Sequence, residues 1–103
     1  MTGQVPEIYD RVGPVLQSGP VANAIIAAIK ELNHDVIVVD RGAYMRVLVP
    51  QCCVVTRSAI EMHLGRPFRF PGELETVMSA FKGSLQLNQD DAAWQFAQAQ
   101  TIR

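Results

Sequence analysis

Three short apolar runs set close together constrain this chain more than any other feature: residues 36–39 (VIVV), 44–49 (YMRVLV) and 52–55 (CCVV). The first is almost wholly β-branched, the composition of a buried strand. Asp40-Arg41-Gly42 supplies a turn, because glycine tolerates the backbone that a tight reversal needs. The second run alternates, with Tyr44, Arg46 and Leu48 on one face and Met45, Val47 and Val49 on the other. Pro50-Gln51 turns the chain again into Cys52–Val55. The three runs therefore predict a three-stranded meander.

Helical spacing frames this block. Residues 12–17 (VGPVLQ) predict a short strand, with Pro14 placing it at an edge or first in a sheet. Ser18-Gly19-Pro20 then starts a helix, proline suiting its first position. Val21, Ile25, Ala28, Ile29 and Leu32 lie on one face, and Asn33-His34 stops it. A second helix begins at Thr56 or at Ser58, where Ser58-Ala59-Ile60-Glu61 has capping-box spacing, and ends at Gly65. Pro71 opens a third helix carrying Leu74, Val77, Met78 and Phe81 on one stripe, ended by Gly83. Leu85 and Leu87, the polar turn 88–91, then Trp94 and Phe96 predict a hairpin. Residues 1–11 read as a tail. Residues 12–103 read as one compact α+β domain, with two small antiparallel sheets and two to three short helices.

Composition excludes several function classes. Nine Lys plus Arg against ten Asp plus Glu give a net charge of −1, which lacks the basic excess of a nucleic-acid binder. No apolar run approaches the roughly 20 residues that cross a bilayer. The N-terminus MTGQVPEIYDRVG has neither a basic head nor an apolar stretch, so a secretory leader is not expected and the cytoplasm is the expected compartment.

Chemistry-bearing residues do not form a constellation. Cys52 and Cys53 are adjacent in a strand, so their side chains diverge and a mutual disulfide is not expected. With His34 and His63 they match no standard zinc spacing. His63 lies two residues from Glu61, on another helix face, and reads as a solvated surface histidine. Met62, Met78, Phe68, Phe70 and Phe81 read as core before they read as a cofactor box. No phosphate-binding loop or dinucleotide fingerprint is present. The expectation is a cofactorless protein without an active site, acting by contact. Residues 68–83 are the richest contact segment, because Glu73, Thr76 and Ser79 lie off the apolar stripe while Arg66, Arg69 and aromatics flank them.

Two stretches carry a resemblance. Residues 36–47, VIVVDRGAYMRV, resemble the V-x-D-R-x-x-Y-x-x-I strand pair of the effector proteins of bacterial multicomponent diiron monooxygenases. Residues 56–68 end in Leu64-Gly65-Arg66-Pro67-Phe68, similar to that family's L-G-R-x-F, with an acidic segment following that closes on Gly83. Val12-Gly13-Pro14-Val15 near the start is most similar to the toluene monooxygenase subgroup. The resemblance implies a regulatory or coupling component without catalytic, cofactor or metal residues. Its implied partner is the diiron hydroxylase component, working with a Rieske ferredoxin and a flavin reductase. It further implies a docking surface at Glu73, Thr76, Met78 and Ser79, and a hydroxylase acting on an aromatic hydrocarbon or alkene. Two readings from other classes stand beside it: a stand-alone binder of a small apolar ligand held between the sheets, and a small thiol enzyme using Cys52 or Cys53.

Overall fold

Strand β1 (Arg11–Gln17) opens the ordered framework of the computed structural model, which describes residues 10–96. Helix α1 (Pro20–Leu32) follows, with proline in its first turn where a missing N–H costs nothing. Its buried face holds Ala22, Ile25, Ala28 and Ile29, at the spacing the sequence predicts, while Leu32 at the end is exposed. Strands β2 (Ile37–Asp40), β3 (Tyr44–Pro50) and β4 (Cys52–Thr56) come next, then helices α2 (Arg57–Leu64) and α3 (Gly72–Val77). The chain closes with β5 (Met78–Lys82), β6 (Ser84–Leu87) and β7 (Asp91–Gln95). Residues 1–9 of the expected tail lie outside the described residues; Arg11 is already in β1 and buried.

Two antiparallel sheets result, ordered β2-β3-β1-β5 and β4-β7-β6, so the α+β expectation holds. The predicted hairpin is β6–β7, closed by Asn88, whose backbone and side-chain amides donate to the Asp91 carbonyl (2.8 Å) and carboxylate (2.7 Å).

The predicted meander is not formed. β3 pairs with β2 and β1, whereas β4 leaves for the other sheet and pairs with β7. The switch happens at Gln51, which takes a left-handed φ of 67°. Gln51 ties the corner together: its N–H donates to the Asp10 carbonyl, its carbonyl accepts from Phe96, and its side-chain amide donates to the Asp10 carboxylate. A two-residue link looks like a hairpin in sequence, but these long-range bonds redirect it.

Nor is β1 an edge strand; it lies between β3 and β5. Partners along β3 run Arg11–Pro50 and Val12–Val49, then resume at Val15–Arg46, so the ladder skips Gly13 and Pro14. Proline's absent N–H falls in that gap. Gly13 makes the gap workable: at φ 149° it lies so close to β3 that a Cβ would stand 2.2 Å from the Val47 carbonyl oxygen.

The third helix is shorter than its apolar stripe predicts. It ends at Val77, and residues 78–82 instead pair with the open side of β1. Backbone bonds to β1 outcompete a helix whose last stripe residue, Phe81, would otherwise point to the core; Phe81 is 44% exposed. The β1–β5 register shifts between Val15 and Leu16, leaving Ser79 as an extra residue of β5, a β-bulge.

The core sits between the sheets and α1, built from Val12, Leu16, Ile25, Val47, Phe68 and Trp94 among others. Asn33 fastens α1 to the second sheet. Its side-chain amide donates to Ile29 (2.7 Å) and Val54 (2.8 Å) carbonyls, and its oxygen accepts from the Val54 N–H (3.0 Å). It thereby ends the helix and occupies the outer edge of β4, which would otherwise offer unpaired backbone groups.

Two substitutions check this. Gly13→Ala should destabilise the fold by about 3 kcal/mol or more, because the colliding atom is backbone and a non-glycine residue strains that φ; denaturant unfolding measures it. Asn33→Ala should cost about 1–2 kcal/mol in the same measurement. Asn33→Asp should cost no less, since a carboxylate would face two carbonyl oxygens.

Candidate partner-binding surface

The two cysteines are free thiols adjacent on β4. Cys53 is buried, and burial, with a smaller contribution from neighbouring Cys52, pushes its thiol up to about 12. A neutral thiol is a poor nucleophile. His63 is an exposed surface histidine, as expected, and on α2 it meets Glu31 of α1, Nε2 to Oε1 3.1 Å, and so ties two helices together. Among the described residues no group of three or more His, Cys, Asp or Glu is placed to hold a metal ion. The space between the sheets is occupied by Leu16, Ile25, Trp94 and their neighbours.

The corner after α2 is built by capping. Thr56, not Ser58, caps α2, its hydroxyl accepting from the Ala59 N–H (3.2 Å). Glu61 is therefore released from a capping box and accepts from the Phe68 N–H (2.8 Å). Gly65 ends the helix in the left-handed region at φ 79°. Phe68 then plunges into the core, its burial contributing about 2–3 kcal/mol, with Phe70 tilted against it at a 6.2 Å centroid distance.

Glu73 organises the surface of this corner. Its carboxylate accepts from Arg66 at 2.7 Å and 3.4 Å and from the Arg69 N–H at 3.0 Å. The Arg66 bonds first, then the Arg69 N–H, hold the Glu73 carboxyl below its usual range. Arg66, Arg69, Glu73 and Thr76 line an open depression of about 660 Å³. Thr76 turns its hydroxyl inward to the Gly72 carbonyl (3.0 Å).

The four residues expected to dock are thus not one cluster. Glu73 and Thr76 share the first depression. Met78 is half-buried against the core. Ser79, the bulge residue, is exposed and lines a second depression of about 340 Å³ with Val15, Tyr44, Arg46 and Ala80. Alternation along 44–49 already set Tyr44 and Arg46 on one face, but the strand that neighbours them there was not visible. Met62 and Phe81, read as core, are instead 75% and 44% exposed: α2 is too short to bury more than one side, and Phe81 lies on an outer strand.

The small α+β domain thus presents open surface depressions lined by charged, hydroxyl-bearing and aromatic side chains, Arg66, Arg69, Glu73 and Thr76 at one and Tyr44, Arg46 and Ser79 at another. This chain belongs to the MmoB/DmpM family, whose pattern it matches over residues 10–95. It is 37% identical over 87 residues to the effector subunit of the alkene monooxygenase system of Xanthobacter autotrophicus (strain ATCC BAA-1158 / Py2), a match covering 82% of this chain and 85% of that protein. Its fold is similar to that in the phenol hydroxylase–regulatory protein complex (TM-score 0.72, 20% identity, covering 82% of this chain and 95% of that one). It is also similar to regulatory protein B of soluble methane monooxygenase (TM-score 0.64, 22% identity, covering 93% and 72%). These relatives are effector or regulatory components, not catalytic ones. Among the described residues no helix is long and apolar enough to cross a membrane.

Two measurements test this surface. In the native protein Cys53 should resist alkylation at pH 8 and react only on unfolding, as mass spectrometry of labelled peptides will read. Because its thiol is raised by folding, the stability from burying it neutral is complete below pH ~9 and is lost as pH climbs toward 12. Glu73 behaves oppositely: its carboxyl is lowered, so its hold on Arg66 and Arg69 is complete above pH ~4.3 and released as pH falls below that. NMR should show the Arg69 amide titrating below the range of a free glutamate, and Glu73→Gln should abolish that transition.

Proposed function

We propose that this chain is the cofactorless effector of a multicomponent monooxygenase, binding the diiron hydroxylase and tuning its active-site conformation. The likeness to an alkene monooxygenase effector subunit over most of both chains carries the reading. An alkene or an aromatic hydrocarbon is the substrate class we assign to the partner, and a Rieske ferredoxin and a reductase supply its electrons. The cytoplasm, where those donors work, is the compartment.

A partner without reactive groups changes a rate only by binding one conformation of the enzyme better than another. Each ~1.4 kcal/mol of that preference shifts the population tenfold, so a modest surface suffices. Docking repacks hydroxylase helices near the iron centre and restricts water while oxygen is activated, which couples electron use to hydroxylation. Glu73, Thr76, Met78 and Ser79 are the docking residues of this reading. The Arg66–Glu73 pair supports it by holding the 66–73 corner in one shape before contact, reducing the ordering cost of binding.

Titrating the protein into hydroxylase, ferredoxin and reductase should raise product formed per NADH consumed until effector and active sites are matched. Unchanged turnover, product distribution and coupling would end the proposal.

A further inference from the structure

The four-stranded sheet breaks the usual rule for an antiparallel sheet with one face on a core. Its inner face, Val12, Leu16, Val47 and Val49, is buried as expected. An outer face normally carries polar residues. Here the pairings Val39–Arg46, Ile37–Leu48, Val15–Arg46, Gln17–Tyr44, Val15–Ala80 and Gly13–Lys82 put a run of apolar residues, Ile37, Val39, Leu48, Val15 and Ala80, on that outer face, with Arg46 among them and Tyr44, Gln17 and Lys82 around them. Ile37, Val39 and Val15 are half-buried yet take no part in the core cluster. No described helix packs over them. Contiguous apolar residues left uncovered in this way mark a surface meant for something else.

Charge narrows what that is. Lys82 flanks this face on β5, but the cation in its middle is Arg46, which forms no ion pair or side-chain hydrogen bond among the described residues. It lines the depression with Val15, Tyr44, Ser79 and Ala80. Tyrosine and arginine around an apolar centre are the residues that dominate protein interfaces. The complementary surface is apolar with a carboxylate opposite Arg46. A second copy of this chain does not fit, because a twofold contact across the patch would set Arg46 against Arg46 with no acid between them.

We infer that this outer sheet face, centred on Tyr44 and Arg46, is the surface laid on the hydroxylase, with Arg46 received by a carboxylate there. The inference rests on the effector reading above and extends its docking surface from Ser79 across β1 and β3. It makes Glu73 and Thr76 the margin of the contact and the sheet its centre. Met62 on α2, the most exposed of the large apolar side chains described, then faces solvent in the complex.

Hydroxyl-radical footprinting of the wild-type chain with and without hydroxylase tests this without any substitution. Tyr44 should be protected on complex formation and Met62 unchanged. Arg46→Glu, shown folded by its melting curve, should raise the effector concentration for half-maximal coupling at least tenfold, while Lys30→Glu on α1 should leave it within twofold. If Arg46→Glu does not fold, Tyr44→Ser takes its place with the same expectation. Wild-type stimulation with Tyr44 unprotected, or with Met62 protected instead, overturns this face and leaves the effector reading standing. Absence of any wild-type effect overturns both. Sedimentation showing a dimer that Arg46→Glu dissolves, with half-saturation unmoved, assigns the patch to a second copy and overturns the inference.

Discussion

The close approach of Gly13 to the Val47 carbonyl is the contact on which the rest of the structure depends. It lets β1 lie flat against β3 at a point where Pro14 has no N–H to give, and so lets a proline-bearing strand occupy the middle of a sheet. From there β1 presents its other side to residues 78–82, which would otherwise continue a helix. One absent Cβ therefore decides the order of four strands. It also decides where the bulge at Ser79 falls, because the β5 register is counted from β1.

The second sheet hangs from the first through short polar fixtures rather than through a shared ladder. Gln51 holds the start of β1, the end of β3 and residue 96 at one corner, and pays for its left-handed φ with three hydrogen bonds. Asn33 performs a similar service at the other side of β4. Between these points the apolar core only has to fill space, which Trp94, Phe68 and Leu16 do. The consequence for function is stiffness: both depressions lie on backbone fixed at several points, Ser79 by the paired neighbours Met78 and Ala80 on either side of it and Glu73 by bonds to Arg66 and Arg69.

Local signals in the sequence were legible where local physics decides. Proline in the first turn of α1, Gly65 at the end of α2, and the alternation of Met45, Val47 and Val49 toward the core all read correctly, because each depends on neighbours a few residues away. Pairing partners are legible across short turns, β2 with β3 and β6 with β7, but not between distant segments. Pro50-Gln51 has the length of a hairpin loop, and only Asp10 and Phe96, distant in the chain, reveal it as a crossing between sheets. The stripe Leu74, Val77, Met78, Phe81 is helical in period, yet three of its members reach the core or its border through a helix that ends and a strand that begins at the fourth turn's expense. The candidate site followed the same division. Glu73 and Thr76 come together because they are three apart on one helix, whereas Ser79 meets Tyr44 and Arg46 only through the β3-β1-β5 order.

That division bears on how an inert protein acts on an enzyme. A chain that must lend shape, without reagents, gains nothing from a mobile contact loop, since ordering it would consume the differential binding it has to deliver. A sheet face is the opposite: its side chains stand at fixed spacings, and their branched carbons lose little freedom on contact. The cost is an apolar surface open to water while the protein is alone. Arg46 in the midst of Val15, Val39 and Ala80 limits that cost, because a lone cation deters a second copy while it invites a carboxylate. The same residue that disfavours self-association thus supplies selectivity for a partner, which is why a charge with no ion-pair partner among the described residues stands between the apolar side chains of Val15 and Val39.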